Sequence, residues 1–437
     1  MNATTQKLRP IEKLTRPLIS FLHIESASGI VLLAATAVAL AIANTSGYTF
    51  YNDFWNLKFT IGVGEWALSY PLWYWVNDGL MAIFFFLVGL EIKREIVCGE
   101  LREVRRVVAP AVAAFGGAIV PALIFIYILG DNAGSEGWAI PMATDIAFVV
   151  GTIALLGKRV PHGLKVFLLT LAIIDDIIAV LVIALFYSSK LSFAWLAAAA
   201  GGIIVVVIMN RFGVRTVMGY LLVGAGVWLC TLKSGIHPTI AGVVLGLLTP
   251  AMPLFSKSEV RKGLGEARQA IDAASDMNVK KKDVLREAEF ISREGLSPLE
   301  RFESDVHPWA AFIIMPIFAL ANAGVPFHVE ALASPMALAV AFGLFLGKPI
   351  GIVLSLLLVV KTRLGVMPGG TTWGAMIGAG SLAGIGFTMS LFVASLSLEG
   401  GLLNEAKTGI LTASAVNGIV GYLLLLFFLR KSGEAHS

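Results

Sequence analysis

Two aspartates, Asp175 and Asp176, stand side by side in "LLTLAIIDDIIAVLVIAL", residues 168 to 185, an otherwise apolar run of helix length. Two more ionisable residues interrupt apolar runs in the same way: Asp145 in "WAIPMATDIAFVVGTIALL" and Lys348 in "LFLGKPIGIVL". A charge at bilayer depth costs about 2.5 to 3.5 kcal/mol on insertion scales, so each should face protein or a water-filled cavity. Adjacent side chains on a helix diverge by about 100°, which lets one carboxyl face an aqueous cavity while the other meets a protein partner. Lys348 is the expected partner, because a buried ammonium left alone is costly and beside a carboxylate it can stay charged. A purely structural ion pair would account for one aspartate and the lysine and leave Asp176 unexplained. Carboxylates with nearby hydroxyls and backbone carbonyls are hard oxygen ligands, suited to a hard cation.

The segments around these residues carry their own punctuation. Pro141 and the Thr144-Asp145 pair interrupt one apolar run, and Gly378, Gly380, Gly384 and Gly386 weaken "GAMIGAGSLAGIGFTMSLF" in the second half. Such glycines favour an unwound stretch, although close helix packing is a frequent alternative use. Paired interrupted spans in two halves of a membrane protein point to a site near the midplane, where half-helix ends face each other. Two meeting N-termini leave positive dipole ends that Asp145 is charged to offset, and Lys348 would offset the C-terminal ends.

The elements that must position these residues follow from composition. Of 437 residues, 57% are hydrophobic and 14% charged, and bilayer-length apolar runs recur, which identifies an all-α polytopic membrane protein. Twelve transmembrane helices are expected, near 27 to 45, 72 to 92, 107 to 129, 138 to 156, 162 to 187, 191 to 209, 214 to 231, 236 to 250, 308 to 327, 334 to 360, 372 to 397 and 405 to 429. The chain divides into an N-terminal segment 1–26, helices one to eight within 27–250, a charged loop 251–307, helices nine to twelve within 308–429, and a tail 430–437. With both termini cytoplasmic, inner segments hold 28 of the 33 Lys and Arg and outer segments four, namely Lys58, Lys190, Lys233 and Lys407. Without the ten basic residues of the long loop the ratio is still 18 to four. The N-terminus is polar and basic and precedes an uncleaved first helix.

The loop 251–307 balances those ten basic residues with eleven acidic ones, and "VKKKDVLREAEFISREG" reads as a solvated helix. Its Lys280, Lys281 and Lys282 offer only a weak pull on anionic lipid, diluted by neighbouring acids. The first outer loop, "YTFYNDFWNLKFTIGV" (48–63), is aromatic and β-branched and suggests a short hairpin or an interfacial aromatic anchor. Cys98 and Cys230 fall near opposite membrane faces, so no disulfide is expected, nor is a Cys/His metal cluster or a cofactor. The net charge of +4 sits in short loops flanking helices and does not imply nucleic acid.

Several ordered motifs make the chain resemble the NhaA-type sodium/proton antiporters over nearly its whole membrane part: "SGIVLLAATAVALAIANTS", "WVNDGLMAIFFFLVGLEIKRE", "MATDIAFVVGTIALLGKRVP", "LTLAIIDDIIAVLVIALFY", "LKSGIHPTIAGV", "HPWAAFIIMPIFALANAGV", "LGKPIGI" and "GIGFTMSLF". The resemblance implies an inverted-topology repeat whose fourth and eleventh helices are broken and cross. It also implies electrogenic exchange of one Na⁺ or Li⁺ for more than one proton in a prokaryotic cytoplasmic membrane, with sodium extruded by the proton motive force. By motif, Asp175 and Asp176 are the ion and proton carboxylates, Lys348 pairs with Asp175, and Thr144, Asp145, Gly384 and Gly386 lie at the crossing. Glu91, Arg94 and Glu95 match a charged cluster tied to pH response, with His237, Glu303 and His307 as further positions; an ordinary surface network on one helix face is the alternative. A homodimer through the outer loop at 48–63 is implied as well. The chain departs from the family pattern in the length of 251–307 and in Ser304, where a histidine often stands.

Transport rather than catalysis is therefore expected. An intramembrane aspartyl protease would need carboxyls on separate helices, whereas this pair shares one helix and no Gly-x-Gly-Asp stretch is present. A cation channel or uniporter would conduct sodium without obligatory proton movement, and the buried Lys348 opposes an open cation path.

Overall fold

A computed structural model describes residues 25–62, 64, 67–130, 132–188, 191–215, 217–273 and 278–434. The expected N-terminal segment lies outside the described residues except for its last two, as do residues 435–437 of the tail and the side chains of Lys280 and Lys281, whereas Lys282 is exposed on its helix. Apart from one two-stranded hairpin, the described chain is built from helices. Seven of them are long and apolar enough to cross a bilayer, and nine if two bent pairs are each one span. Length and apolarity alone thus identify seven to nine of the twelve expected spans. Thr239–Leu248 shows why the rest fall short, since its ten residues rise only about 15 Å against a hydrocarbon core of about 30 Å.

The boundaries differ from the sequence reading in instructive ways. The helix expected to begin at 308 begins ten residues earlier, at Pro298, and runs through a π-helical turn to Asn322. The cause is a capping box, in which Ser297 Oγ accepts from Glu300 N–H and the Glu300 carboxylate accepts from Ser297 N–H. The loop 251–307 therefore ends in this helix and contains two others, Lys257–Ala273 and Asn278–Glu294, the second being the expected charged helix. The outer loop splits: Tyr48–Asn56 is helical, and the hairpin forms later, from Lys58–Ile61 paired antiparallel with Leu68–Pro71.

Close helix contacts are made through glycine, as they must be where lipid gives no hydrophobic drive for association. Helix Met81–Val97 packs on Thr239–Leu248 so tightly that a Cβ on Gly89 would come within 2.5 Å of the Val243 carbonyl oxygen. In the same way a Cβ on Gly116, in helix Val104–Leu129, would come within 2.5 Å of the Gly351 carbonyl oxygen in helix Lys348–Lys361. This second contact seats the first turn of Lys348–Lys361, and so Lys348, in the protein interior.

Candidate functional site

Helix His162–Phe186 is buried on all sides through its middle, from Thr170 to Asp176, with the two carboxylate residues 2% and 3% exposed. Lys348 reaches them from a different helix and is completely buried. Its Nζ donates to Asp175 Oδ2 at 2.7 Å and to the Met142 carbonyl oxygen. The expected ion pair is therefore present, and its lysine has a second acceptor that the sequence did not reveal. Met142 closes the 3₁₀ segment Ser135–Met142, so the ammonium sits at the negative end of that helical piece.

Asp145 lies on the other side of the same break. Residues 143–145 have no helical structure, and Ile146–Leu156 starts immediately after them. The Asp145 side chain caps that helix by accepting from Phe148 N–H at 3.3 Å through Oδ1. Its Oδ2 accepts from Thr388 N–H at 3.0 Å and from the Thr388 hydroxyl, in the first turn of Phe387–Ser397. One carboxylate thus caps two helix N-termini, where the free N–H groups and aligned dipoles favour a negative charge. The two irregular segments also bond to each other, Asp145 N–H to the Ile385 carbonyl oxygen at 2.7 Å and the Thr144 hydroxyl to the Ala383 carbonyl oxygen at 2.8 Å. Ser390 completes the contact by donating to the Ile140 carbonyl oxygen at 2.8 Å.

Asp176 is different from its neighbours. Its side chain makes no hydrogen bond and no ion pair among the described residues, although Asp175, Glu91, Asp145 and Lys348 all act on it electrostatically. A nearly buried carboxyl with its oxygens uncommitted, beside a paired one, is the arrangement expected of a group that exchanges ligands. No group of three or more His, Cys, Asp or Glu side chains among the described residues could hold a metal ion.

Against known proteins, residues 19–425 match the family model described as Na⁺/H⁺ antiporter 1. The chain is 45% identical over 425 residues to the Na⁺/H⁺ antiporter NhaA of Rhodopirellula baltica, covering 97% of both chains. It is also 45% identical to that of Oleidesulfovibrio alaskensis, covering 97% of this chain and 96% of the other. The chain belongs to the NhaA-type Na⁺/H⁺ antiporter family.

In this NhaA-type chain the four glycines divide between the two expected uses: residues 384–386 lie outside regular helix, and Gly378 and Gly380 lie within one. Gly384 and Gly386 have ordinary φ values of −74° and −88°, so backbone freedom is not what selects them. Space is: a Cβ on Gly384 would stand 2.5 Å from Asn417 Nδ2 and 2.6 Å from the Leu344 carbonyl oxygen. Gly378 and Gly380 lie inside the regular helix Trp373–Ala383 and pack against Leu425 and Pro349, the close-packing use. Asn417, which carries no charge to draw attention in an apolar helix, is fully buried and donates to the Gly384 carbonyl oxygen at 2.8 Å and the Leu344 carbonyl oxygen at 3.1 Å. It ties the end of one half-helix to the π turn Gly343–Gly347 that precedes Lys348. Gly384→Ala should therefore lower stability by about 1 to 3 kcal/mol through overpacking, read as an earlier thermal unfolding transition in detergent, whereas Gly401→Ala, with open space around it, should leave the transition in place.

Of the six residues matched to pH response in this family member, the structure gathers four. Arg94 bridges Glu303 and, at 3.5 Å, Glu95, and Glu91 lies within the electrostatic reach of all three. The cluster joins the end of helix Met81–Val97 to Pro298–Trp309, beneath the edge-to-face contact of Phe86 and Phe302. His307 lies one turn further along that helix and is exposed. His237 is elsewhere. It precedes Thr239–Leu248, whose Gly242 meets Ala82 and whose Gly246 meets Gly89, and it contacts the backbone of Tyr187. A further buried acid, Asp78, is a 7% exposed carboxylate inside the span expected at 72–92 that the apolar pattern did not single out.

Proposed function

We propose that this protein exchanges Na⁺ for protons across a prokaryotic cytoplasmic membrane, with Asp176 as the carboxylate that binds either ion. The observation that carries the reading is the asymmetry of the pair: Asp175 is held by Lys348, while the Asp176 side chain has no hydrogen bond or ion pair among the described residues. The carboxylate oxygens of Asp176, with Asp175 beside it, offer a hard cation suitable ligands, and the same oxygens take a proton when the cation is absent. Two ligands that exclude each other from one site give obligatory exchange. The family names of the relatives support Na⁺ and H⁺ as the pair.

In this reading the pieces 135–142 with 146–156 and 373–383 with 387–397 are the two broken, crossing helices of an inverted repeat within twelve spans, and Asp145 and Lys348 balance their opposed ends. The lysine and arginine distribution supports cytoplasmic termini. Displacement of two protons by one Na⁺ makes the cycle electrogenic, and 100 mV contributes about 2.3 kcal/mol per charge to sodium extrusion. Li⁺ as an alternative cargo, and a homodimer through the outer loop at 48–63, belong to the same proposal. The Glu91, Arg94, Glu95 and Glu303 cluster is the candidate pH-responsive element, since Glu91 acts on Asp176 and the cluster also holds a second helix.

The test is proton flux in sealed proteoliposomes with a pH-sensitive dye, adding NaCl, LiCl and KCl in turn across pH 6.5 to 9. Sodium-driven proton release is expected. Sodium uptake with no proton movement would replace exchange with a channel or uniporter.

A further inference from the structure

Helix Met81–Val97 is preceded by a π-helical turn, Trp75–Leu80, in which the Met81 N–H bonds the Val76 carbonyl oxygen, five residues back. Such turns are rare and gather at functional sites. This one lies under the exposed hairpin, to which it is fastened by the Trp75 indole N–H donating to the Phe59 carbonyl oxygen at 3.0 Å. It buries two polar side chains and serves them unequally. Asn77 exchanges amide hydrogen bonds with Asn322, at 2.8 and 3.4 Å, and Asn322 also donates to the Phe318 carbonyl oxygen. Asp78 has no such partner for its carboxyl: Oδ1 is buried without a hydrogen bond, and the Tyr74 hydroxyl lies against the group. The Trp228 indole is spent on the Asp78 main-chain carbonyl oxygen, at 3.0 Å.

No cation pairs with Asp78 among the described residues. The neighbouring helix Met315–Asn322 contains no titratable residue. Val217–Ser234, which supplies Trp228, contains Tyr220, Cys230 and Lys233. Tyr220 is engaged by Asn210 and the Val214 carbonyl oxygen, Lys233 stands 4.8 Å over the Trp195 ring, and Cys230 is half-buried. The groups acting on the carboxyl come down to Tyr74, whose ring stacks on Tyr70 of the hairpin at 4.3 Å. An ionised carboxylate with a bare buried oxygen and no counter-charge is far costlier than the neutral acid, which fits the same space. Half-buried Tyr74 connects this acid to the hairpin side, and a phenol can accept one proton while giving up its own.

We propose that Asp78 is a second proton-binding site, separate from the Asp175–Asp176 pair, which loads and unloads through the Tyr74 hydroxyl from the hairpin end of the molecule. One proton passes from the Asp78 carboxyl to the Tyr74 oxygen as the phenol releases its own to water. Asp78 lies thirteen residues before Glu91 in the chain, roughly 20 Å along the helix, so the two acids address opposite ends of the bundle. That the site holds a proton stands without the exchange reading; that the proton takes part in transport rests on it.

The two parts have separate tests on the full-length protein in lipid. In infrared difference spectra between acid and alkaline pH, the parent should show a protonated-carboxyl band that Asp78→Asn loses, Tyr74→Phe shifts in frequency, and Asp176→Asn retains. Spectra of Asp78→Asn identical to the parent would overturn the site, even if the protein exchanged no ions. If Asp78→Asn does not fold, an unshifted band in Tyr74→Phe overturns it instead. In the flux assay, both variants should move the midpoint of the pH profile by about one unit, a ten-fold change in proton concentration. An unmoved midpoint in both, with the infrared band assigned to Asp78, would leave it a titrating acid apart from the exchange cycle and overturn its part in transport.

Discussion

Asp176→Asn should reduce cation-driven proton release in proteoliposomes to the level of empty vesicles. Asparagine keeps the size of the side chain and can still offer one oxygen to a cation, but it takes no proton in the working pH range and carries no charge to hold Na⁺. Both halves of the exchange fail together. Because the Asp176 side chain has no hydrogen bond or ion pair among the described residues, the same variant should unfold at a temperature close to the parent's. Loss of flux without loss of stability separates a binding role from a structural one. Sodium-dependent proton release retained in Asp176→Asn would defeat the assignment.

The opposite pattern is expected for Lys348. Lys348→Ala removes the cation that faces Asp175 in a site where the two side chains are 0% and 2% exposed, and it also strips the Met142 carbonyl oxygen of its donor. Breaking a buried ion pair from one side costs about 3 to 5 kcal/mol, mostly because the other charge stays behind. Thermal unfolding in detergent should therefore begin well below the parent's transition. The double variant Lys348→Ala, Asp175→Asn should recover a large part of that loss, since no unpaired charge is left. A double variant no more stable than Lys348→Ala alone would show that packing around the lysine stem, and not the charge, holds the helices together.

The two variants separate the adjacent acids that began as equivalent letters in one apolar run. Periodicity could say that Asp175 and Asp176 point about 100° apart, and it could offer Lys348 as a partner for one of them. It could not say that the lysine also covers Met142. That acceptor exists only because a 3₁₀ segment ends there, 206 residues away in the chain, and a carbonyl is the same in every residue. Asp145 was legible as a charge suited to a helix end. That its two oxygens divide between two helices was not, since Thr388 is an unremarkable residue until the chain brings it to the break. The glycines drew notice as an unwound stretch; residues 384–386 do lie between two helices, but with ordinary φ values, and what Gly384 and Gly386 supply there is room for Asn417, Ser390 and Leu344.

What escaped the sequence shares a cause. Asn417 and Asn322 are uncharged polar residues in apolar helices, and hydropathy barely registers them. Asp78 sits near the beginning of its span, where an acid reads as an interfacial residue; burial under the hairpin makes it an interior one. Helix Pro298–Asn322 began early because a local Ser-x-x-Glu cap overrode the drop in hydropathy that suggested a boundary. His237 was grouped by motif with Glu303, and the packing of two glycine-lined helices puts it at the far end from the cluster.

The sequence by itself determined that the chain lives in a bilayer, which residues are too costly there to be incidental, and, through ordered motifs, the family. Those are consequences of transfer free energy summed along the chain and need no knowledge of neighbours. The tertiary structure decided which acid is paired and which is free, which helix ends meet, and where each buried polar group finds or lacks a partner. Such pairings join residues hundreds of positions apart, and their energy depends on distances and burial that a linear chain does not contain.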